Sequence, residues 1–321
     1  MLIISEQAVR DSVGRADAAA AVESVFAAMA AGDARNFPVV REAIGHADAL
    51  YGFKSGFDRG ELTLGVKSGG YWPGNAARGL TNHQSTVLLF DPDTGQPRAL
   101  VGGNYLTALR TAAASAVSIR HLARPDAATL GIVGAGHQAP FQLRAALEER
   151  RFQRVVAWNR SPERLNDLAA AAAEAGVAFE TVDRDTLCRQ ADVIITITSC
   201  FEPLLSARQI RPGTHIACMG TDTAGKQEID PAILAAAEVF TDEVAQAAGI
   251  GECQHAVAQG LIAAEAIRPV GDVIRNADTF ARAAGTVTVF DGTGVGLQDL
   301  AVARVAVERA VAAGSAVEAS L

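Results

Sequence analysis

Between Thr129 and Ala139 the chain reads Thr-Leu-Gly-Ile-Val-Gly-Ala-Gly-His-Gln-Ala. A short apolar run enters Gly134-x-Gly136-x-x-Ala139, and a helix-forming stretch, Phe141 to Arg150, follows. Gly134 permits a sharp turn out of a strand, Gly136 lets backbone approach a phosphate, and small Ala139 lets helix and strand pack closely, with the helix N-terminus facing the anion. A glycine fingerprint alone is weak evidence. This one has the required strand-turn-helix context and is followed by a second apolar strand, Arg154–Asn159. The segment Gly134, Ala135, Gly136, His137 and Gln138 is therefore expected to cradle the pyrophosphate of a dinucleotide.

From Thr129 to about Asp291 short apolar runs alternate with alanine-rich amphipathic stretches, the pattern of a doubly wound parallel sheet with helices on both faces. The expected strands are Leu130–Gly134, Val155–Trp158, Phe179–Val182, Val193–Thr198, His215–Met219, Val239–Thr241 and Val287–Phe290. Ser161-Pro-Glu-Arg and Asp230-Pro231 carry helix-start signals between them. Residues 1–120 differ: a helical opening, Asp17–Ala31, precedes antiparallel segments at Gly65–Gly69 and Ser85–Phe90. The turn Asp91-Pro-Asp-Thr-Gly95 then leads to Ala99–Val101. The chain thus reads as α/β: a dinucleotide-binding domain over 121–296 plus a smaller α+β domain over 1–120, which the last helix, Leu297–Ala313, completes.

With 321 residues, 49% hydrophobic and 20% charged, the chain can bury the cores of two domains. A formal net charge of −8 without a Lys/Arg-rich run argues against nucleic acid or an anionic membrane as main partner and favours a small metabolite. The opening Met1-Leu-Ile-Ile-Ser-Glu-Gln lacks the pattern of a signal peptide and no stretch reads as a membrane helix, so a cytoplasmic protein is expected. Cys188, Cys200, Cys218 and Cys253 have no C-x-x-C spacing and no two histidines form an H-x-x-x-H pair. Reduced thiols and no metal are expected.

Several motifs spread over nearly the whole length carry a resemblance. They are Lys67 within Gly65-Val-Lys-Ser-Gly-Gly70 with Asn75 after it, Thr94-Gly95, Thr107-x-x-Arg110-Thr111-Ala112, Gly220-Thr-Asp-Thr-Ala-Gly-Lys226 and Phe290-Asp-Gly-Thr-Gly294. With these the chain resembles the ornithine cyclodeaminase/mu-crystallin family. The resemblance implies a Rossmann-type domain, a homodimer formed through the N-terminal domain, and NADH or NADPH as cofactor. Family members reduce small imino acids, deaminate alanine or cyclise ornithine, and mu-crystallin relatives serve as lens proteins and bind thyroid hormone. An alanine dehydrogenase, a cyclic-imine reductase, a lyase and a non-enzymatic binder therefore stand as alternatives. Asn36–His46, Leu50–Phe57, Gly69–Pro73 and Asn82–Ser85 are most similar to members that reduce iminosuccinate to aspartate in the β-hydroxyaspartate route of glyoxylate assimilation. An imino dicarboxylate is the expected substrate.

Such a substrate needs cations before it needs a base. Arg110 and Arg41 are the candidate carboxylate clamps, because a guanidinium matches a carboxylate with two parallel hydrogen bonds. A salt bridge for Arg110 and a solvated pair of Arg41 with Glu42 are the structural alternatives. Lys67, an odd choice for a strand interior, matches the lysine that family members use at the substrate, and Asp222 matches the aspartate that handles the amine in the cyclodeaminases. Capping the following turn is the alternative for Asp222. Lys54, His83 and Gln84 are candidates for the second carboxylate, and each could instead be solvated. At the cofactor the resemblance adds Thr111, Ser199, Gly292 and Thr293. Asn159 and Arg160 follow the second strand where an acid commonly holds the ribose hydroxyls, and Arg160 could grip a 2′-phosphate. The chemistry leans to NADPH and the resemblance to NADH.

Overall fold

The computed structural model describes residues 1–320. Two compact units are formed, one by Met1–Arg110 with the chain from Val295 onward, the other by Thr111–Gly294. The division falls inside the helix Asn104–Leu122, after its opening turns. Those turns are tied to the first unit: the N–H groups of Asn104 and Tyr105 donate to the Glu6 carboxylate at 2.6 and 3.0 Å.

The first unit is built on an eight-stranded sheet. Its order is Val317–Glu318, Leu2–Ile4, Pro97–Gly102, His83–Phe90, Thr63–Tyr71, Leu50–Asp58 and Ala34–Asn36, with Val40–Ala43 also pairing on Leu50–Asp58. All pairs are antiparallel except Leu2–Ile4 with Pro97–Gly102. The expected hairpin forms at Asp91, whose Oδ1 accepts from the N–H groups of Asp93 and Thr94 while Gly95 takes a φ of 73°. Leu50–Asp58 and Val40–Ala43, which alternation does not pick out, carry glycine, lysine and arginine among their apolar residues.

One face of this sheet takes the last helix, Gly296–Ala312. Close seating depends on two facing glycines: a Cβ on Gly56 would stand 3.0 Å from the Leu297 side chain, and one on Gly65 would stand 2.9 Å from Leu300. Leu297, Leu300, Val302, Ala303 and Ala306 are buried, and each leucine contributes about 1.5–3 kcal/mol by leaving water. A larger residue at Gly56 or Gly65 would push out the helix that brings Asp299 to the site.

The second unit holds an all-parallel sheet ordered Ala178–Thr181, Arg154–Trp158, Thr129–Val133, Val193–Thr196, His215–Cys218, Thr288–Asp291, Glu238–Thr241 and Arg268–Pro269. Helices cover both faces, so the central strands are buried along their whole length. His215 belongs to this core. It lies 3.1 Å from Ser118 Oγ and 3.0 Å from Thr288 Oγ1, and burial pushes its pKa down to about 3. The strand order reverses between Thr129–Val133 and Val193–Thr196, and in such sheets ligands bind beyond the carboxyl ends at that point.

Candidate active site

In the first unit two cations converge on one carboxylate. Lys67 Nζ and Arg110 Nε each donate to Asp299 Oδ1 at 3.0 Å, and Arg110 Nη1 donates to Gln298 Oε1 at 3.1 Å. All three charged side chains are buried. Burial would raise the Asp299 carboxyl, but Arg110 and Lys67 outweigh it and hold the group below the usual carboxylate range. Burial lowers Lys67 to about 7, with Arg110 and Lys54 acting in the same direction and Asp299 opposing them. A lysine held there can exchange a proton near neutral pH.

Register shows which other side chains share this face. Lys54 pairs with Lys67, Arg41 with Gly52, Gly52 with Gly69, Gly69 with Ser85, and Tyr71 with His83. Paired residues point the same way and side chains alternate along a strand, so Arg41, Lys54, Lys67 and His83 lie on the face that carries the last helix. That helix begins beside Lys54, where a Cβ on Gly296 would stand 2.9 Å from the Lys54 carbonyl carbon. Gln84 goes to the other face. Its amide donates to Thr81 O at 2.8 Å and accepts from Asn104 at 3.0 Å, so the structure does not bring it to the cations.

In the second unit the two fingerprint glycines differ in what requires them. Gly134 has a φ of 115°, and a Cβ there would lie 2.6 Å from Ile197 O. Around Gly136 a Cβ would meet nothing within 4 Å. The fold thus demands the first glycine, while open space beside the second suits close approach of a phosphate. Helix Ala139–Glu149 follows with no side chain capping its N-terminus, and Gln138 Oε1 is buried without a hydrogen-bond partner. Pro140 occupies the first turn, where its missing N–H costs nothing, and the His137 ring lies 5.5 Å from that of Phe141. These residues fit a dinucleotide.

Around this cradle, Asn159 donates to Ser161 O at 2.8 Å, and Arg160 and Ser199 are exposed. Thr111 is buried. Gly292 and Thr293 are fixed from below: a Cβ on Gly292 would lie 2.6 Å from Met219 Sδ, and Thr293 Oγ1 donates to Asp242 at 2.6 Å. Asp222, half-buried beyond the strand His215–Cys218, accepts from Lys226 at 2.8 Å and from Thr223 at 3.1 Å. Beneath it lie two acids that sequence reasoning missed. Glu228 accepts from Thr196, Thr198 and the Gly220 N–H, and Glu252 accepts from Thr221 and the Glu228 and Ile229 N–H groups. Burial, then the neighbouring Glu228 charge, raises Glu252 to about 8. Together they clamp the loops bearing Ser199 and Asp222. Asp299 and Gln298 were also missed; the one signal for the aspartate is an acid on the apolar face of a helix.

The pattern of the ornithine cyclodeaminase/mu-crystallin family matches residues 2–314. The chain belongs to that family. Among members of the ornithine cyclodeaminase/mu-crystallin family, it is 58% identical to iminosuccinate reductase of Paracoccus denitrificans (strain Pd 1222) over 318 residues, 99% of each chain. A crystal structure of the Paracoccus denitrificans iminosuccinate reductase with NAD+ superimposes with a TM-score of 0.96 at 57% identity, covering 100% of this chain and 99% of that one. An archaeal alanine dehydrogenase dimer with bound NAD gives 0.93 at 30% identity, with 99% of both chains covered. Family membership thus spans both units.

Proposed function

We propose that this chain is an imine reductase that converts iminosuccinate to L-aspartate, as in the β-hydroxyaspartate route. The observation that carries this reading is the set of cations on one sheet face, with Arg41 and Lys54 aligned beside the buried Lys67 and Arg110. A dianionic imine suits that set, and similarity to the Paracoccus denitrificans reductase supports the choice. The second unit's glycine turn would hold a dihydronicotinamide dinucleotide, which would supply hydride chemistry at C2 when bound. Arg110 already holds Gln298 and Asp299 through Nη1 and Nε; its Nη2 is assigned to the α-carboxylate. Lys67 Nζ, with one N–H on Asp299, gives a proton to the imine nitrogen as the C=N double bond becomes C–NH2. Asp222 is assigned to the same nitrogen and Arg41 to a carboxylate. The cofactor side is assigned to Gly134, Ala135, Gly136, His137, Gln138, Asn159, Thr111, Ser199, Gly292 and Thr293. NADH is taken as the productive cofactor, with NADPH tolerated because no acid lies between Trp158 and Pro162 and Arg160 is exposed.

The test is oxidation of NADH, and separately of NADPH, with enzymatically generated iminosuccinate, beside pyruvate plus ammonium and a cyclic imine, with aspartate assayed as product. Aspartate formation faster than turnover of either alternative is the expected result. Turnover of another imine alone would replace the substrate and leave the imine chemistry.

Lys54 and His83 are proposed to hold the second carboxylate. Lys54→Ala or His83→Ala is expected to raise KM for iminosuccinate about tenfold, the value of one charge-assisted hydrogen bond, with little change for the imine of pyruvate. Equal effects on both substrates would remove the assignment.

A homodimer is proposed through the opposite sheet face. There Val40 faces Phe53 in register, and Tyr51 lies two residues along, each of the three more than a third exposed. A second copy with the same apolar patch would cover them, and the archaeal relative is a dimer. No described helix is long and apolar enough to cross a membrane. The four cysteines are unpaired, which supports a cytoplasmic placement.

A further inference from the structure

We propose that Asp299 is the positioning residue of this reaction: one carboxylate oxygen from the last helix locks Lys67 and Arg110 side by side, so that their remaining N–H groups meet the substrate as a unit. The inference rests on the reading of Lys67 and Arg110 as substrate groups. Its ground is geometric. Asp299 Oδ1 accepts from both cations at 3.0 Å, across 232 and 189 residues of sequence. Asp299 Oδ2 is buried and has no hydrogen-bond partner, so the carboxylate neither caps the helix nor joins another ion pair. The preceding residue, Gln298, takes a second guanidinium N–H, at 3.1 Å. Two consecutive residues of one helix thus fix the plane of Arg110 while Arg110 Nη2 and two protons of Lys67 remain.

Stability alone does not account for such a cluster. Buried ion triads are commonly matched or exceeded in stability by well-packed apolar residues of the same volume, and a carboxylate with one unanswered oxygen is costly to bury. What the arrangement secures is two cations held at one point without driving each other apart. The charged groups facing Lys67 are Lys54 from the strand Leu50–Asp58, Arg110 from the helix Asn104–Leu122 and Asp299 from the last helix; the strand His83–Phe90 presents apolar Val87. Asp299 is the single anion among them. Without its charge, burial, Arg110 and Lys54 all oppose protonation of Lys67, and the lysine loses its proton at lower pH.

The experiment compares the parent with Asp299→Asn and Asp299→Glu by two pH titrations. One is kcat/KM for aspartate formation. The other is amine labelling of Lys67 in the protein without substrate, read by mass spectrometry of its peptide. Since the substrate's own protonation is common to all three proteins, the variant-to-parent ratio isolates the enzyme. For Asp299→Asn both midpoints are expected to fall by at least about one pH unit, and kcat/KM to drop about 30-fold at pH 8 and less at pH 6. Asp299→Glu keeps the charge but displaces it. Its Lys67 midpoint is expected to stay with the parent's while kcat/KM falls about tenfold. A cooperative thermal transition retained in both variants reports the intact first unit, and unchanged NADH affinity the intact second unit. An Asp299→Asn protein that loses activity with both midpoints in place would make Asp299 merely structural and overturn the proposal. So would parental kcat/KM and midpoints in both variants. If Asp299→Asn does not fold, Asp299→Glu decides: parental kcat/KM refutes the positioning role, and reduced kcat/KM with an unmoved labelling midpoint supports it. If labelling shifts as expected while the parent itself reduces no iminosuccinate, Asp299's hold on Lys67 stands and the substrate reading fails.

Discussion

Replacing Lys67 with glutamine is expected to lower kcat/KM for imine reduction about 1000-fold, within the 10²–10⁴ range that a positioned proton donor contributes, and to leave NADH affinity unchanged. The residue lies on a strand of the first unit, whereas the residues proposed to hold the nucleotide all lie in the second. Glutamine keeps much of the length and an N–H for Asp299 but cannot release a proton to nitrogen. A second readout follows from its titration. In the folded protein Lys67 is lowered to about 7 chiefly by burial, while an unfolded lysine titrates near about 10.4. The unfolded chain therefore binds this proton more tightly, so the buried lysine weighs against folding increasingly as pH falls from about 10 to about 7. Glutamine carries no such proton. The Tm difference between variant and parent is expected to move in the variant's favour over that interval. A flat difference would mean that Lys67 is not desolvated as described, and a variant keeping a tenth of the activity would take Lys67 out of the proton transfer.

How far such a site can be read from sequence depends on how local its cause is. The parallel sheet was legible because strands covered on both faces, such as Val193–Thr196 and His215–Cys218, need unbroken apolar runs. The hairpin was legible because Asp91 and Gly95 satisfy a turn within five residues. Lys67 drew notice because a lysine inside a glycine-rich strand has no ordinary use. Its partner gave no comparable sign: Asp299, 232 residues away, reads as a first-turn acid that any helix welcomes at its N-terminus. Only the seating of that helix on Gly56 and Gly65 turns it into a buried anion. His83 and Gln84 show the opposite failure. They are adjacent in sequence and equal in chemistry to an eye scanning for donors, yet the pleat sends them to opposite faces. Glu228 and Glu252 escaped because what they bind is mostly backbone N–H and threonine hydroxyl, partners that leave no pattern in a one-dimensional string.

Gly136→Val is expected to fold with a Tm within about 2 °C of the parent, as a surface change of a few tenths of a kcal/mol would give. The same variant is expected to lose at least about 100-fold in NADH affinity, because its side chain would occupy the space through which backbone N–H groups reach a pyrophosphate. Gly134→Val should behave in reverse order. Its backbone sits at a φ of 115°, where a β-branched residue is strained, and its Cβ would lie 2.6 Å from the Ile197 carbonyl oxygen. Backbone strain of about 1–3 kcal/mol and overpacking of a similar size correspond to a Tm lower by roughly 10 °C, before any ligand is added. Thermal unfolding without cofactor and a fluorescence titration with NADH separate the two cases. Equal loss of stability in both variants would make Gly136 a requirement of the fold, like Gly134. Normal NADH binding by a folded Gly136→Val would move the pyrophosphate away from this loop. Retained stability with lost affinity would leave the ligand as the reason for a glycine at 136, since around it the protein places no atom within 4 Å of a Cβ.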